Sequence, residues 1–321
     1  MRKPRGIKLK RNKYIVIMSL ITFMFLFTTG YAVFSTKIKL NAKGNIKDKS
    51  RIIKAWVDTS NEDFHTDFYR EKIVSATFLN TNTVPSNASE AWDVSEDGAG
   101  GVKAYVIPNA EDNTKYDLFI GAKKGVIANT NSSNLFSNFT GLETINFNNN
   151  YDTTNVLSMR SMFLNCTSIT SLDLSSFDTS KVTDMYAMFC FYNTSTSSYV
   201  PNKLEEIIFG EKFYTNNVTN MRSMFAGIQN IEILDLSTFD TSNVTNMFHM
   251  FQGSNDNKSK LKTILVSDKF ITTKVTDSTT MFRYLTKLIG GNGTPYSSSH
   301  MDKEYARIDT VEAPGYFTLK Q

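Results

Sequence analysis

The sequence has very little of what enzymes use for chemistry: 3 His, 2 Cys and 2 Trp in 321 residues. No Cys/His spacing suits a metal site, and neither a metal nor a cofactor is expected. His65, His249 and His300 are scattered, and no nucleophile sits in a recognisable turn. Solvent-facing roles are expected for all three, and the chain is not expected to be an enzyme. Cys166 and Cys190 leave two readings open, a disulfide or two small core residues. Basic charge is also short once the first residues are set aside. Arg2, Lys3, Arg5, Lys8, Lys10, Arg11 and Lys13 stand ahead of residue 35 with no acid among them. Taking these seven from 35 basic residues leaves 28 against 31 acidic ones, about −3 for the remainder. No basic domain remains to hold a phosphate backbone, so nucleic acid is not an expected partner.

What the chain does have is packing residues: 24 Phe, 14 Tyr and 13 Met. It also has one long apolar run. Residues 14–34 (YIVIMSLITFMFLFTTGYAVF) carry no charge, and at about 1.5 Å per residue they can span a hydrocarbon core. Seven cations ahead of the run keep the N-terminus in the cytoplasm if it is an anchor. Gly30-Tyr-Ala32 would serve as a small-x-small cleavage site if it is a signal peptide. Both readings export the rest. The organisation read from this is a basic cytoplasmic segment 1–13, an anchor or signal 14–34 and a stalk 35–51. An N-terminal cap follows over 52–140, with a helix near 61–72 and strands at 103–107 and 116–121. The Gly-rich stretch 98–101 lacks the strand-then-helix setting of a phosphate loop and reads as a turn.

A repeat dominates residues 141–285. Val156, Met159, Met162 and Phe163 recur as Val182, Met185, Met188, Phe189, then Val218, Met221, Met224, Phe225, then Val244, Met247, Met250, Phe251. Val275, Ser278, Met281 and Phe282 are a worn fifth copy, and Leu135-Phe136 a degenerate first one. Ahead of each copy lies a short alternating strand, as in Leu172-Asp-Leu174 and Leu234-Asp-Leu236. Tyr151, Phe177, Phe213, Phe239 and Phe270 each precede their Met by 11 residues, which fixes the register. A polar bend separates strand from Met-Phe, and apolar residues at i, i+3, i+6 and i+7 then suggest a short helical turn. Stacked coils of this kind bury Leu, Phe, Met and Val against their equivalents. Asp152, Asp178 and Asp240 occupy equivalent bends, where Asx turns are the expected role; calcium is the alternative, but Thr215-Asn216 interrupts the column.

LDLSSFDTSKVTDMYAMF and LDLSTFDTSNVTNMFHMF resemble the repeat of the BspA-like leucine-rich-repeat surface proteins of bacteria. The likeness extends over residues 55–318, including flanking segments similar to that family's N-terminal cap and C-terminal closing segment. It implies a cell-surface location and attachment to host molecules or other cells. The chain ends at PGYFTLKQ with no sorting motif, so attachment to a membrane is expected through the N-terminal segment.

The expected fold is a repeat solenoid, leucine-rich-repeat-like, with a short strand, bend and short helical turn per coil. An N-terminal α+β cap, a C-terminal cap over 286–321 and one N-terminal transmembrane or signal helix complete it. The expected function is adhesion to, or binding of, an extracellular protein or glycan. A structural surface protein without a ligand is the alternative, and a hydrolase the remote one. The candidate binding face is the outward row of strand residues Asn146, Asp173, Ile208, Asp235 and Leu265.

Overall fold

In the computed structural model, residues 51–57, 59–193 and 196–320 are described. The basic segment 1–13, the apolar run 14–34 and the stalk up to residue 50 lie outside the described residues. Thr66 starts the single α-helix among the described residues, its Oγ1 accepting the Tyr69 N–H at 3.4 Å, and α1 (Asp67–Lys72) follows. The chain then becomes extended and runs through β1 (Ile73–Leu79), β2 (Glu90–Asp93), β3 (Val102–Pro108) and β4 (Tyr116–Ala122). Val102, Ala104 and Val106 alternate with more exposed neighbours, as do Leu118, Ile120 and Ala122, and all six are fully buried. Two short strands come next, β5 (Val126–Ile127) and β6 (Thr144–Asn146). The first sheet has the order β2-β3-β4-β1-β6. It is antiparallel on the β2 side and parallel where β1 meets β4 and β6.

Beyond it the repeats supply β7 (Tyr151–Asp152), β8 (Ser171–Leu174), β9 (Tyr192–Asn193), β10 (Ser198–Tyr199) and β11 (Glu206–Phe209). After them come β12 (Ile233–Leu236), β13 (Thr263–Val266) and β14 (Phe317–Leu319). Units are joined mainly through the Met-Phe segments. Met185, Ala187, Phe189 and Phe191 each donate their backbone N–H to the next unit, at the carbonyls of Asn220, Arg222, Met224 and Ala226. Met221, Ser223, Phe225 and Gly227 do the same to Asn246, Phe248, Met250 and Gln252. All nine repeat Met side chains are fully buried, and the Phe rings form a continuous stack. Phe163–Phe189, Phe189–Phe225 and Phe225–Phe251 have centroids 5.8, 5.5 and 5.8 Å apart and nearly parallel planes. One apolar core runs from Ile53 to Phe317.

The leucine-rich-repeat-like solenoid is corrected on two counts. The expected helical turn is absent from every unit: helix among the described residues is α1 plus 3-10 turns at Asp63–His65 and Lys303–Tyr305. The reason is backbone conformation. The residue immediately before the Met of each Met-Phe pair is left-handed, at Ser161, Ala187, Ser223, His249 and Thr280, with φ between 52° and 57°. A left-handed residue ends any right-handed turn, and an apolar residue at every third position fits such a bent ribbon as well as a helix. Nor do the strands make one continuous sheet. Among the described residues they fall into five sheets, one of five strands, one of three and three of two. β8 pairs with β11, and β12 with β13 and β14, but β11 does not pair with β12. Both interruptions among the repeats follow a Phe where other units have Leu or Val. Phe147 lies against Phe177 at 4.8 Å and Phe209 against Phe239 at 5.1 Å, and the strand edge beside each ring is left unpaired. No helix among the described residues is long and apolar enough to cross a membrane, and the expected N-terminal helix lies outside them.

Candidate functional site

The polar bends carry structure. Asp152, Asp178 and Asp240 each accept the N–H two residues on, at 3.0 Å, as Asx turns require. Hydrogen bonding from Ser180 and Ser242 holds the Asp178 and Asp240 carboxyls below the usual range. The next residue in each bend is a buried Thr. Thr215 Oγ1 donates to the Asp240 carbonyl at 2.9 Å and accepts the Asp240 N–H at 2.8 Å, and Thr153 does the same to Asp178. No group of three or more His, Cys, Asp or Glu among the described residues could hold a metal ion. Cys166 and Cys190 are buried and free, and burial pushes the Cys190 thiol up to about 12.

The expected binding row does not form one surface. Asp173 faces Ile208 in register, and Asp235 faces Leu265, but the break between β11 and β12 separates the pairs. Asn146 and Asp173 line a cleft at the first break, closed below by Phe147. Ile208 and Asp235 line a second cleft of about 280 Å³, together with Ile233, which is 61% exposed. Leu265 is only half-exposed and lines neither cleft. Asp235 is engaged by Lys320 at 2.6 Å, a partner 85 residues away.

A different group of residues converges on the side of the molecule formed by the Met-Phe segments. The residue after the first Met of each unit points outward, giving the column Arg160, Tyr186, Arg222, Phe248. Cations and rings alternate along it: Arg160 Cζ lies 3.7 Å from the Tyr186 centroid and Arg222 Cζ 4.2 Å from that of Phe248. Arg283 lies 4.5 Å over Tyr284. The hairpin β9–β10 is an insertion in one unit, and its Tyr192 and Tyr199 meet edge to face at 5.2 Å. Gly227 permits this approach. At φ 80°, a Cβ there would sit 2.5 Å from Tyr199 Cδ1 and 2.7 Å from the Phe191 carbonyl.

Together these groups enclose a cleft of about 430 Å³, walled by Tyr186, Tyr192, Tyr199, Phe248 and Tyr284. Arg222, Arg283 and His249 supply its charge and polarity, with Ser197, Ser198, Ser223, Gln252 and Asn255 around them. No Asp or Glu lines it. The side chains of Arg160, Arg222 and Arg283 make no ion pair or hydrogen bond among the described residues, and Arg222 Nε is buried without an acceptor. Burial, then the neighbouring Arg222 and Arg283, lowers the His249 imidazole to about 4. It is therefore neutral at pH 7. Burial also pushes the Tyr199 hydroxyl well above its ordinary range.

His249, expected to face solvent, is thus half-buried in this cleft, and His65 is fully buried elsewhere; His300 is exposed. The sequence reading overlooked the cleft because its residues are the outward members of the Met-Phe segment and an insertion, not of the strands. The available signal was the column itself, cation and ring alternating at one repeat position. No curated protein and no solved structure matches the chain. The family described as "Mycoplasma protein of unknown function, DUF285" matches residues 126–207 and again 191–305, which together are more than half of the sequence. The chain belongs to that family.

Proposed function

We propose that this protein is an exported, surface-held bacterial binding module without enzymatic activity, and that its ligand is an extracellular protein or glycan held in the aromatic–arginine cleft. The observation that carries this reading is the cleft's composition. Tyr and Arg are the residues that dominate binding energy at recognition sites, and here they gather with their guanidinium groups unpaired. Export is supported by the seven cations before the uncharged run 14–34. The likeness of the repeats to those of BspA-like surface proteins supports attachment as the role. The sheet-side cleft at Ile208 and Asp235 is the second site on this reading, because it pairs exposed Ile208 and Ile233 with a carboxylate.

Two measurements test it. Protease added to intact cells removes residues 35–321 if the ectodomain is outside; full protection sinks the export claim. The full-length protein probed against arrays of host proteins and glycans gives a saturable, dose-dependent hit that Tyr199→Ala weakens. Absence of any saturable hit leaves a structural surface protein as the better description.

A further inference from the structure

We infer that the aromatic–arginine cleft is a site for an acidic oligosaccharide, held through a sugar carboxylate or sulfate; this rests on the binding-module reading above. Three features point to that chemistry. First, the lining is cationic: Asp277 acts on His249, but no carboxylate is among the residues that line the cleft. Arg222 and Arg283 face a space with no acid in its wall, and Arg222 Nε is buried and unbonded. A guanidinium offers a planar fork of donors that matches a carboxylate or sulfate, and leaving such donors unmet in a cleft is costly. Because His249 is neutral, it can lend a donor and an acceptor to hydroxyls rather than repel the arginines.

Second, the walls are rings. Tyr186, Tyr199, Phe248 and Tyr284 wall the cleft, and a sugar ring can lay its C–H side on a ring face; three of these rings already have a guanidinium over one face. Third, the remaining lining is small and hydrogen-bonding: Ser197, Ser198, Ser223, Gln252 and Asn255 suit a ligand rich in hydroxyls. Leu164 is the one aliphatic side chain larger than alanine in the wall. The cleft volume of about 430 Å³ lies within the range of about 300–1,000 Å³ usual for small-ligand sites, enough for a short oligosaccharide.

The experiment uses the full chain and a panel of carboxylated and sulfated oligosaccharides, each beside its methyl-esterified or desulfated form, with Glu-rich and sulfotyrosine peptides as competitors. Acidic members are expected to bind saturably and at least tenfold more tightly than their neutralised partners. That preference should shrink as salt is raised. Arg283→Gln should remove the preference while leaving the thermal midpoint unchanged, and Arg222→Gln should do the same where it folds. The inference is overturned if no acidic member outbinds its neutral form, or if both Arg variants keep the preference. It is equally overturned if an acidic peptide binds and displaces the glycans. A neutral glycan or a protein bound saturably, with no dependence on charge, would leave the binding module standing and remove the acidic sugar. No saturable ligand of any kind would remove both.

Discussion

The N-terminal region and the repeats treat charge in opposite ways. Around α1 the buried charges have local partners, although Arg70 Nε has no acceptor. Lys54 meets Glu62 at 2.9 Å and Asp63 at 2.7 Å, Asp63 meets His65 Nδ1 at 3.1 Å, and His65 Nε2 reaches the Leu135 carbonyl at 2.8 Å. Trp56 stacks on that imidazole at 4.2 Å. The network is a one-off, built from residues with no counterpart elsewhere in the chain. The repeats instead solve one packing problem and reuse it, with Met, Phe and Thr at fixed positions. Their arginines are held only by rings and stay open to a partner. A closed network stabilises a scaffold, whereas open charge on a rigid ladder is what recognition needs.

Four changes would break or sharpen that contrast. The largest effect belongs to the ring stack. Phe225→Ala removes a ring held between Phe189 and Phe251 and should cost about 3–5 kcal/mol in a denaturant titration. A loss below about 1 kcal/mol would mean that the stack is not the spine of the repeats. Next is Thr215→Val, which leaves the Asp240 N–H and carbonyl without their buried hydroxyl and should cost about 1–3 kcal/mol. Thr241→Val removes the same pair of bonds, to the Ile271 N–H and carbonyl, at a junction that β12–β13 pairing also supports, and it should cost less. An equal cost at both would show that the sheet breaks are energetically neutral.

Third comes acid. Burial lowers the His65 imidazole although Asp63 and the Leu135 carbonyl both favour its protonated form; a neutral ring can donate to only one of these two acceptors. Below pH of about 6.5 the unfolded chain takes up a proton that the native chain refuses, and stability falls as pH drops through that window. Burial opposes ionisation of Asp63, but hydrogen bonds from His65 and Lys54 win and lower its carboxyl. Its contribution is therefore present above the unfolded value near 4 and lost below it, with the same sign. Urea midpoints at pH 7.5 and 5.0 should differ for the native chain and less for His65→Gln. The slope that persists in that variant reports His249 in the repeats. The smallest effect is expected for Ser161→Gly. With φ at 54° the turn should gain up to about 1 kcal/mol from Gly, whereas a helical turn would lose a similar amount. The sign of the shift in thermal midpoint decides between the two conformations.

Much of the inward face was legible from residue types. The spacing of 11 between bend aromatic and second Met placed Tyr151, Phe177, Phe213, Phe239 and Phe270 inward, and all five are buried. The strands expected at 103–107 and 116–121 lie within Val102–Pro108 and Tyr116–Ala122, whereas the helix expected near 61–72 is confined to Asp67–Lys72. What could not be read is what two conformations share. Ser, Ala, His and Thr at the left-handed position give no warning, because none is the Gly or Asn that usually marks such a backbone. The sheet breaks turn on a single change from Leu or Val to Phe at the end of a strand. The site was missed for a related reason: Arg160, Tyr186, Arg222 and Phe248 each read as ordinary exposed residues. Their alternation acquires meaning only once the units are laid side by side.

The interruptions of the sheet also have a mechanical meaning. If the molecule is held at a surface and grips a partner, as proposed, it is pulled, and a stack of joined units carries a pull in series, so its weakest joint sets its strength. Each joint has four Met-Phe rungs, but the joints after Phe147 and Phe209 lack strand pairing beside them. Under load the molecule should therefore part first at these two seams, lengthening in discrete steps while the stacked blocks between them stay folded.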